Sequence, residues 1–183
     1  MIGLNFITSS KSKYAEVQKI IPKLKHVDLD LPEIQEIDPR KVIAAKLAVA
    51  CEFKKAPCIV EDTSLYFSAF NGLPGPLIKW FIKTIGLDGL YKMVSAFKNQ
   101  NAIAKTVIGY ATNADNVHYF EGEVKGEIVK PRGTKGFGWD ALFLPNGSKK
   151  TFGEMNMEEK IKYSMRKIAT KKLLKYIQAV QEF

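Results

Sequence analysis

Ile59-Val60-Glu61-Asp62-Thr63-Ser64-Leu65-Tyr66-Phe67, then Gly72-Leu73-Pro74-Gly75-Pro76, then Leu77-Ile78-Lys79-Trp80-Phe81, is the stretch on which the reading of this chain turns. The β-branched start and the apolar content of residues 59–67 predict a strand. The Gly-Pro segment has its backbone set by φ restrictions and reads as a loop. Residues 77–85 and 87–97 predict two helices separated by Gly86. The strand delivers two adjacent carboxylates, Glu61 and Asp62, where a hard cation could be held by oxygen ligands, and Lys79 could meet a phosphate. Taken alone, the same residues also read as a solvated acidic pair, a turn and a surface lysine.

Outward from this stretch, strand and helix patterns alternate. Residues 2–7 predict a buried strand running into the loop Thr8-Ser9-Ser10-Lys11-Ser12-Lys13 and then a helix with Val17, Ile20 and Ile21 as its apolar positions. Unpaired N–H groups at a helix start, with the Thr8 and Ser10 hydroxyls and the Lys13 ammonium, suit a phosphate; the same pattern is also that of an ordinary N-cap. Residues 27–31 predict a second strand ended by Pro32, with Glu33 just beyond. Asp38-Pro39 predicts a helix start, and that helix runs to about Phe53 with Lys46 on an exposed turn. Residues 106–112 and 117–123, with a turn at 113–116, predict a hairpin continued by residues 125–129. Residues 131–140 are a glycine-rich loop with two aromatics, followed by a short strand at 141–144. Asn156 and Glu159 form a capping box opening the C-terminal helical region. On one continuous helix Arg166 would stand about 200° from Ser164, so the two serve one ligand only if the helix breaks between them. No repeat or linker interrupts the 183 residues, which predicts a single α/β or α+β domain.

Composition narrows the function classes. Apolar residues make up 46% and the net charge is +9, which fits a globular domain. The charge is carried by lysine, with arginine only at positions 40, 132 and 166. A nucleic-acid-binding module would rest on that charge and a few aromatics alone, and no specific nucleic-acid binding is expected. Cys51 and Cys58 form no Cys-x-x-Cys and suggest neither a zinc site nor a disulfide framework, which fits a reducing, cytoplasmic setting. His26 and His118 are too few for a triad or a histidine-ligated metal, so carboxylates must do the work. No run approaches a membrane span.

In register, Leu31-Pro32-Glu33-Ile34-Gln35, Val60-Glu61-Asp62-Thr63, Gly72-Leu73-Pro74-Gly75-Pro76 with Lys79-Trp80-Phe81, Phe137-Gly138-Trp139-Asp140, and Glu159-Lys160 with Ser164 and Arg166 resemble the inosine triphosphate pyrophosphatase family nearly end to end. The resemblance implies an elongated two-lobed α/β domain over residues 1–183, built on a long mixed sheet with a central nucleotide cleft, commonly as a homodimer. It implies hydrolysis of non-standard purine nucleoside triphosphates such as ITP, dITP and XTP to the monophosphate and pyrophosphate. Thr8, Ser10, Lys13, Lys46 and Lys79 would face the triphosphate, with Glu16 in support. Glu33 and Asp62, with Glu61 beside them, would hold Mg²⁺, or Mn²⁺ in its place, and Asp62 would orient the attacking water. Asp62, Glu33 and Lys46 would thus be the catalytic set. Phe137 and Trp139 would stack on the purine, with Asp140, Lys160, Ser164, Met165 and Arg166 around its edge.

Two departures touch that site. Met165 stands where the family has His, which removes a donor worth about 0.5–1.5 kcal/mol to a 6-oxo group and predicts relaxed or altered base selectivity. Ser9 and Ser10 replace a Gly-Asn pair, which matters if position 9 needs a positive φ. These departures also allow an alternative, a nucleotide-binding sensor that sequesters its ligand without turnover.

Overall fold

The computed structural model describes residues 3–54, 56–113 and 116–181. Among them the chain runs β1 (Asn5–Ile7), α1 (Lys11–Gln18), β2 (Lys25–Val27), α2 (Pro39–Phe53), β3 (Cys58–Phe67), β4 (Pro74–Gly75), α3 (Ile78–Ser95), β5 (Asn101–Asn113), β6 (Asn116–Ile128), β7 (Phe143–Pro145), α4 (Met157–Lys160) and α5 (Met165–Gln181). The strands form one sheet in the order β2-β1-β3-β5-β6-β7, with β4 paired to β3 off this path. It is mixed: β1 is parallel to β2 and β3, whereas β7 is antiparallel to β6. The α/β expectation is met. None of the described helices is long and apolar enough to cross a membrane.

The chain divides into two compact units, one of Met1–Asp62, Thr106–Gly122 and Arg166–Phe183, the other of Thr63–Lys105 and Glu123–Met165. In the first unit, neighbouring strand residues fall into two separate cores. Phe6, Ile59 and Ile108 pack with Val17 of α1 and Leu173 of α5, while Ile7, Val60 and Val107 pack with Ile43 and Leu47 of α2. Successive strand side chains point to opposite faces, so the sheet here is covered by α1 and α5 on one face and by α2 on the other. The second unit has one core, in which Leu65, Phe67, Leu90, Val94, Phe143 and Phe152 pack together.

Several local expectations hold to the residue. The Asp38 carboxylate caps α2 by accepting from the Arg40 N–H at 2.9 Å, with Pro39 in the first turn. Gly86 interrupts α3 with φ 68° and ψ −178°, a conformation that suits glycine. Asn156 and Glu159 form the reciprocal capping box at the start of α4. The helical region then breaks, because α5 starts only at Met165 and Ser164 precedes it. The strand expected at 27–31 is displaced to Lys25–Val27. β2 pairs only with β1, which ends at Ile7 before the Ser-rich loop, so residues 28–31 have no partner ladder. β5 and β6 extend well beyond the expected hairpin. Ile2, and the middle of the 113–116 turn at Ala114 and Asp115, lie outside the described residues.

The contact between α2 and β5 leaves no spare room. A Cβ added at Gly109 would sit 2.8 Å from Leu47 Cδ1 and closer still to Ile43. Gly109→Ala is expected to destabilise the chain by about 1–3 kcal/mol through overpacking, read as a lower urea midpoint with an unchanged m-value. An unchanged midpoint would mean that α2 yields freely.

Candidate active site

The alternation of β3 decides where its two acids go. Asp62 shares the face of Val60 and meets α2: Lys46 Nζ donates to Asp62 Oδ1 at 3.1 Å, to Glu33 Oε1 at 3.0 Å and to the Glu61 carbonyl at 3.2 Å. Lys46 is buried, not on the exposed turn expected for it. It stands one turn from Val42 and one from Ala50, on the stripe Val42, Ile43, Lys46, Leu47 and Ala50 that α2 turns inward. Burial by itself lowers the Lys46 pKa, but the Asp62 and Glu33 carboxylates raise it further, and the net direction is up. The stabilisation from this ammonium is therefore fully present below the ordinary lysine value and lost only as pH climbs through the raised one, so Lys46 remains a cation at neutral pH.

Glu61 shares the other face, that of Ile59, and meets α1 and α5. Arg166 Nε and Nη2 donate to its two carboxylate oxygens at 2.5 and 2.9 Å, and Arg166 Nη1 donates to Glu16. Lys13 Nζ lies 3.3 Å from Glu61 Oε1. Glu61, expected beside Glu33 and Asp62 as a metal ligand, has both carboxylate oxygens bound by the Arg166 guanidinium on the opposite face of the sheet. Arg166, expected at a purine edge, is 1% exposed and held by two carboxylates, which drive its pKa upward against the burial that would lower it.

The Ser-rich loop is an N-cap in fact. Thr8 Oγ1 accepts from the Ser10 N–H at 3.1 Å, and Ser10 Oγ accepts from the Lys13 N–H at 3.4 Å. Among the described residues the one non-glycine at positive φ is Asn71, so Ser9 replaces glycine without backbone strain. His26, to which the sequence assigns no role, braces this loop: its Nε2–H donates to the Thr8 carbonyl at 2.8 Å while its ring stacks on Tyr14 at 4.4 Å. No local motif announces that contact, because it depends on β2 lying beside β1.

In the second unit the loop after β6 separates its aromatics. Phe137 is 40% exposed, whereas Trp139 is 6% exposed and packs edge-on against Phe143 in the core. Gly138, at φ 61°, turns the chain between them. Of the two aromatics expected to stack on a purine, Phe137 is thus exposed and Trp139 is packed in the core. Asp140 Oδ2 accepts from the Phe137 N–H at 2.8 Å and from Lys160 Nζ at 2.6 Å, and that ammonium lies 5.2 Å from the Phe137 ring centroid. Lys79 is exposed in the first turn of α3. Ser164 is buried, and Met165 is 2% exposed within the core of this unit.

The donor chemistry of the Lys46 cluster fits a hard divalent cation. Two carboxylates converge on one cationic group, and Mg²⁺ binds through one or two carboxylates with phosphate and water completing its shell. No group of three or more His, Cys, Asp or Glu side chains able to hold a metal occurs among the described residues.

A family model described as "Ham1 family" matches residues 4–176. The chain belongs to the Ham1 family. The inosine triphosphate pyrophosphatase of Schizosaccharomyces pombe is 44% identical to this Ham1 chain over 178 residues, covering 95% of it and 94% of the relative. The proteins of the same name from Kluyveromyces lactis and Saccharomyces cerevisiae are 41% and 40% identical, each with 94% of both chains covered. Among solved structures, a HAM1 protein from Coxiella burnetii superposes with a TM-score of 0.81 at 24% identity, covering 96% of this chain and 99% of that one. The Ham1 protein of Staphylococcus aureus gives 0.80 at 22% identity, covering 96% and 98%. At such identities the two structures speak to the fold of the Ham1 chain.

Proposed function

We propose that this protein hydrolyses purine nucleoside triphosphates such as ITP, dITP and XTP to the monophosphate and pyrophosphate, removing non-standard purines from the nucleotide pool. Residues 1–183 then form one catalytic domain. The observation that carries the reading is the buried Lys46 ammonium shared by Glu33 and Asp62, in a chain of this family.

Glu33 and Asp62 would hold Mg²⁺, which when bound polarises the α-phosphoryl group and neutralises the leaving pyrophosphate. Asp62 accepts a hydrogen bond from the attacking water and so orients it toward the α-phosphorus. Lys46, Lys13 and Lys79 donate to phosphate oxygens as negative charge shifts onto the leaving group, and Thr8 and Ser10 support that end. Glu61 and Glu16 keep Arg166 and Lys13 in place. Phe137 supplies a stacking face for the purine, with Lys160, Asp140 and Ser164 at its edge. A methionine at position 165 carries no donor for a 6-oxo group, so the reading includes relaxed base selectivity. The reading also takes the protein to be a homodimer, as the resemblance implies, in the reducing, cytoplasmic setting that its two cysteines fit.

The test is a panel of ITP, dITP, XTP, GTP and ATP, with pyrophosphate release measured with Mg²⁺ and with EDTA in its place. Release from ITP is expected to require Mg²⁺, with ITP preferred over ATP by well under a thousandfold. Binding of ITP without turnover would favour the sensor reading, and a thousandfold preference would remove the selectivity claim.

A further inference from the structure

Thr8 is the first residue past β1, and β2 holds both of its backbone groups. Its N–H donates to the Val27 carbonyl at 3.1 Å, continuing the β1–β2 ladder beyond Ile7. Its carbonyl accepts from the His26 Nε2–H at 2.8 Å. A ring nitrogen that faces a carbonyl must carry the hydrogen, so the direction of this bond is fixed. The imidazole is itself held in place: Tyr14 of α1 stacks on it at 4.4 Å with the planes 15° apart, and the Tyr14 hydroxyl donates to the Leu24 carbonyl at 3.0 Å. A trans peptide sets a carbonyl and the next N–H on opposite sides of the chain, so turning the Thr8 carbonyl to His26 turns the Ser9 N–H the other way. The placement of Thr8 then passes along the loop. Its hydroxyl accepts from the Ser10 N–H at 3.1 Å, and Ser10 Oγ accepts from the Lys13 N–H at 3.4 Å.

We propose that His26 is a positioning residue for triphosphate binding: clamped by Tyr14, it fixes the Thr8 peptide and so presets the directions in which Thr8, Ser9 and Ser10 donate to phosphate oxygens. The inference rests on the hydrolytic reading above, in which this loop faces the triphosphate. His26 acts through Thr8, and Tyr14 acts through His26. Donors that already point the right way need no reordering when the anion arrives, which is a gain in affinity. The loop grips the phosphates alike before and during the reaction, so this gain is uniform binding: its loss raises KM and leaves kcat in place.

The experiment measures ITP hydrolysis in excess Mg²⁺ by the unaltered chain, His26→Phe and His26→Gln, with inorganic tripolyphosphate as a competitive inhibitor. Phenylalanine keeps a ring against Tyr14 and loses the donor. For that variant KM is expected to rise about three- to tenfold, the effect of one lost hydrogen bond, with kcat within about twofold and the tripolyphosphate Ki rising by the same factor as KM. Glutamine offers an amide N–H at a similar reach and is expected to hold KM within about twofold of the unaltered chain. An unchanged KM in His26→Phe, an equal rise in both variants, or a fall in kcat without a rise in KM would each overturn the proposal. His26→Ala takes the place of His26→Phe if the latter does not fold. If the unaltered chain binds ITP without turnover, the hydrolytic reading fails by itself, and the Kd for ITP by calorimetry in the same variants decides the role of His26 by the same factors. Absence of any ITP binding overturns both.

Discussion

Asp62→Asn lowers pyrophosphate release from ITP by about a thousandfold in kcat/KM at saturating Mg²⁺ while leaving the chain folded. The carboxylate is given two tasks, holding the cation and orienting water, and loss of one positioned proton acceptor alone costs about 10²–10⁴ in rate. The amide keeps an oxygen that can accept from Lys46 Nζ, and Glu33 still pairs with that ammonium. Stability therefore changes far less than rate. Steady-state kinetics beside thermal melting separate the two, and a rate within tenfold of the unaltered chain would remove Asp62 from the chemistry.

Arg166→Ala produces the largest loss of stability expected of a single side chain here, about 3–5 kcal/mol. Its guanidinium is the fork that holds both Glu61 oxygens and the Glu16 carboxylate in a buried place. Removing one partner of such a network strands charge in a low-dielectric interior, which costs more than the network itself contributes. For a chain of this length that corresponds to a fall in Tm of roughly 6–20 °C. Arg166→Lys is expected to fall between, because one ammonium cannot reproduce a planar bidentate contact together with a third donor. Thermal unfolding followed by circular dichroism measures both, and a shift of under about 2 °C for the alanine variant would mean that the carboxylates find other partners or water.

Features governed by neighbours in sequence are legible in the residues themselves. Asp38-Pro39, the Asn156–Glu159 box and the break at Gly86 each follow from hydrogen-bonding capacity or φ freedom within a few residues. Lys46 is legible in principle: its four-residue spacing from Val42 and Ala50 marks the inward stripe, but a lysine read without its partners is assigned to solvent. The alternation of β3 is enough to send Glu61 and Asp62 to opposite faces. What waits on each face is not legible, since Arg166 lies 105 residues away in sequence and Lys46 comes from a helix on the other side of the sheet. β2 falls earlier than its apolar pattern suggests because a strand exists only where a partner runs, and β1 stops at Ile7. Phe137 and Trp139 look equivalent in sequence and differ in burial because Gly138 turns the chain between them.

The most direct measurement is hydrolysis of ITP in ¹⁸O-labelled water with Mg²⁺, with the products separated and weighed. Attack on the α-phosphorus predicts IMP and pyrophosphate in equal amounts, with one ¹⁸O in the IMP and none in the pyrophosphate. Label in pyrophosphate, or release of IDP and orthophosphate, would contradict the account.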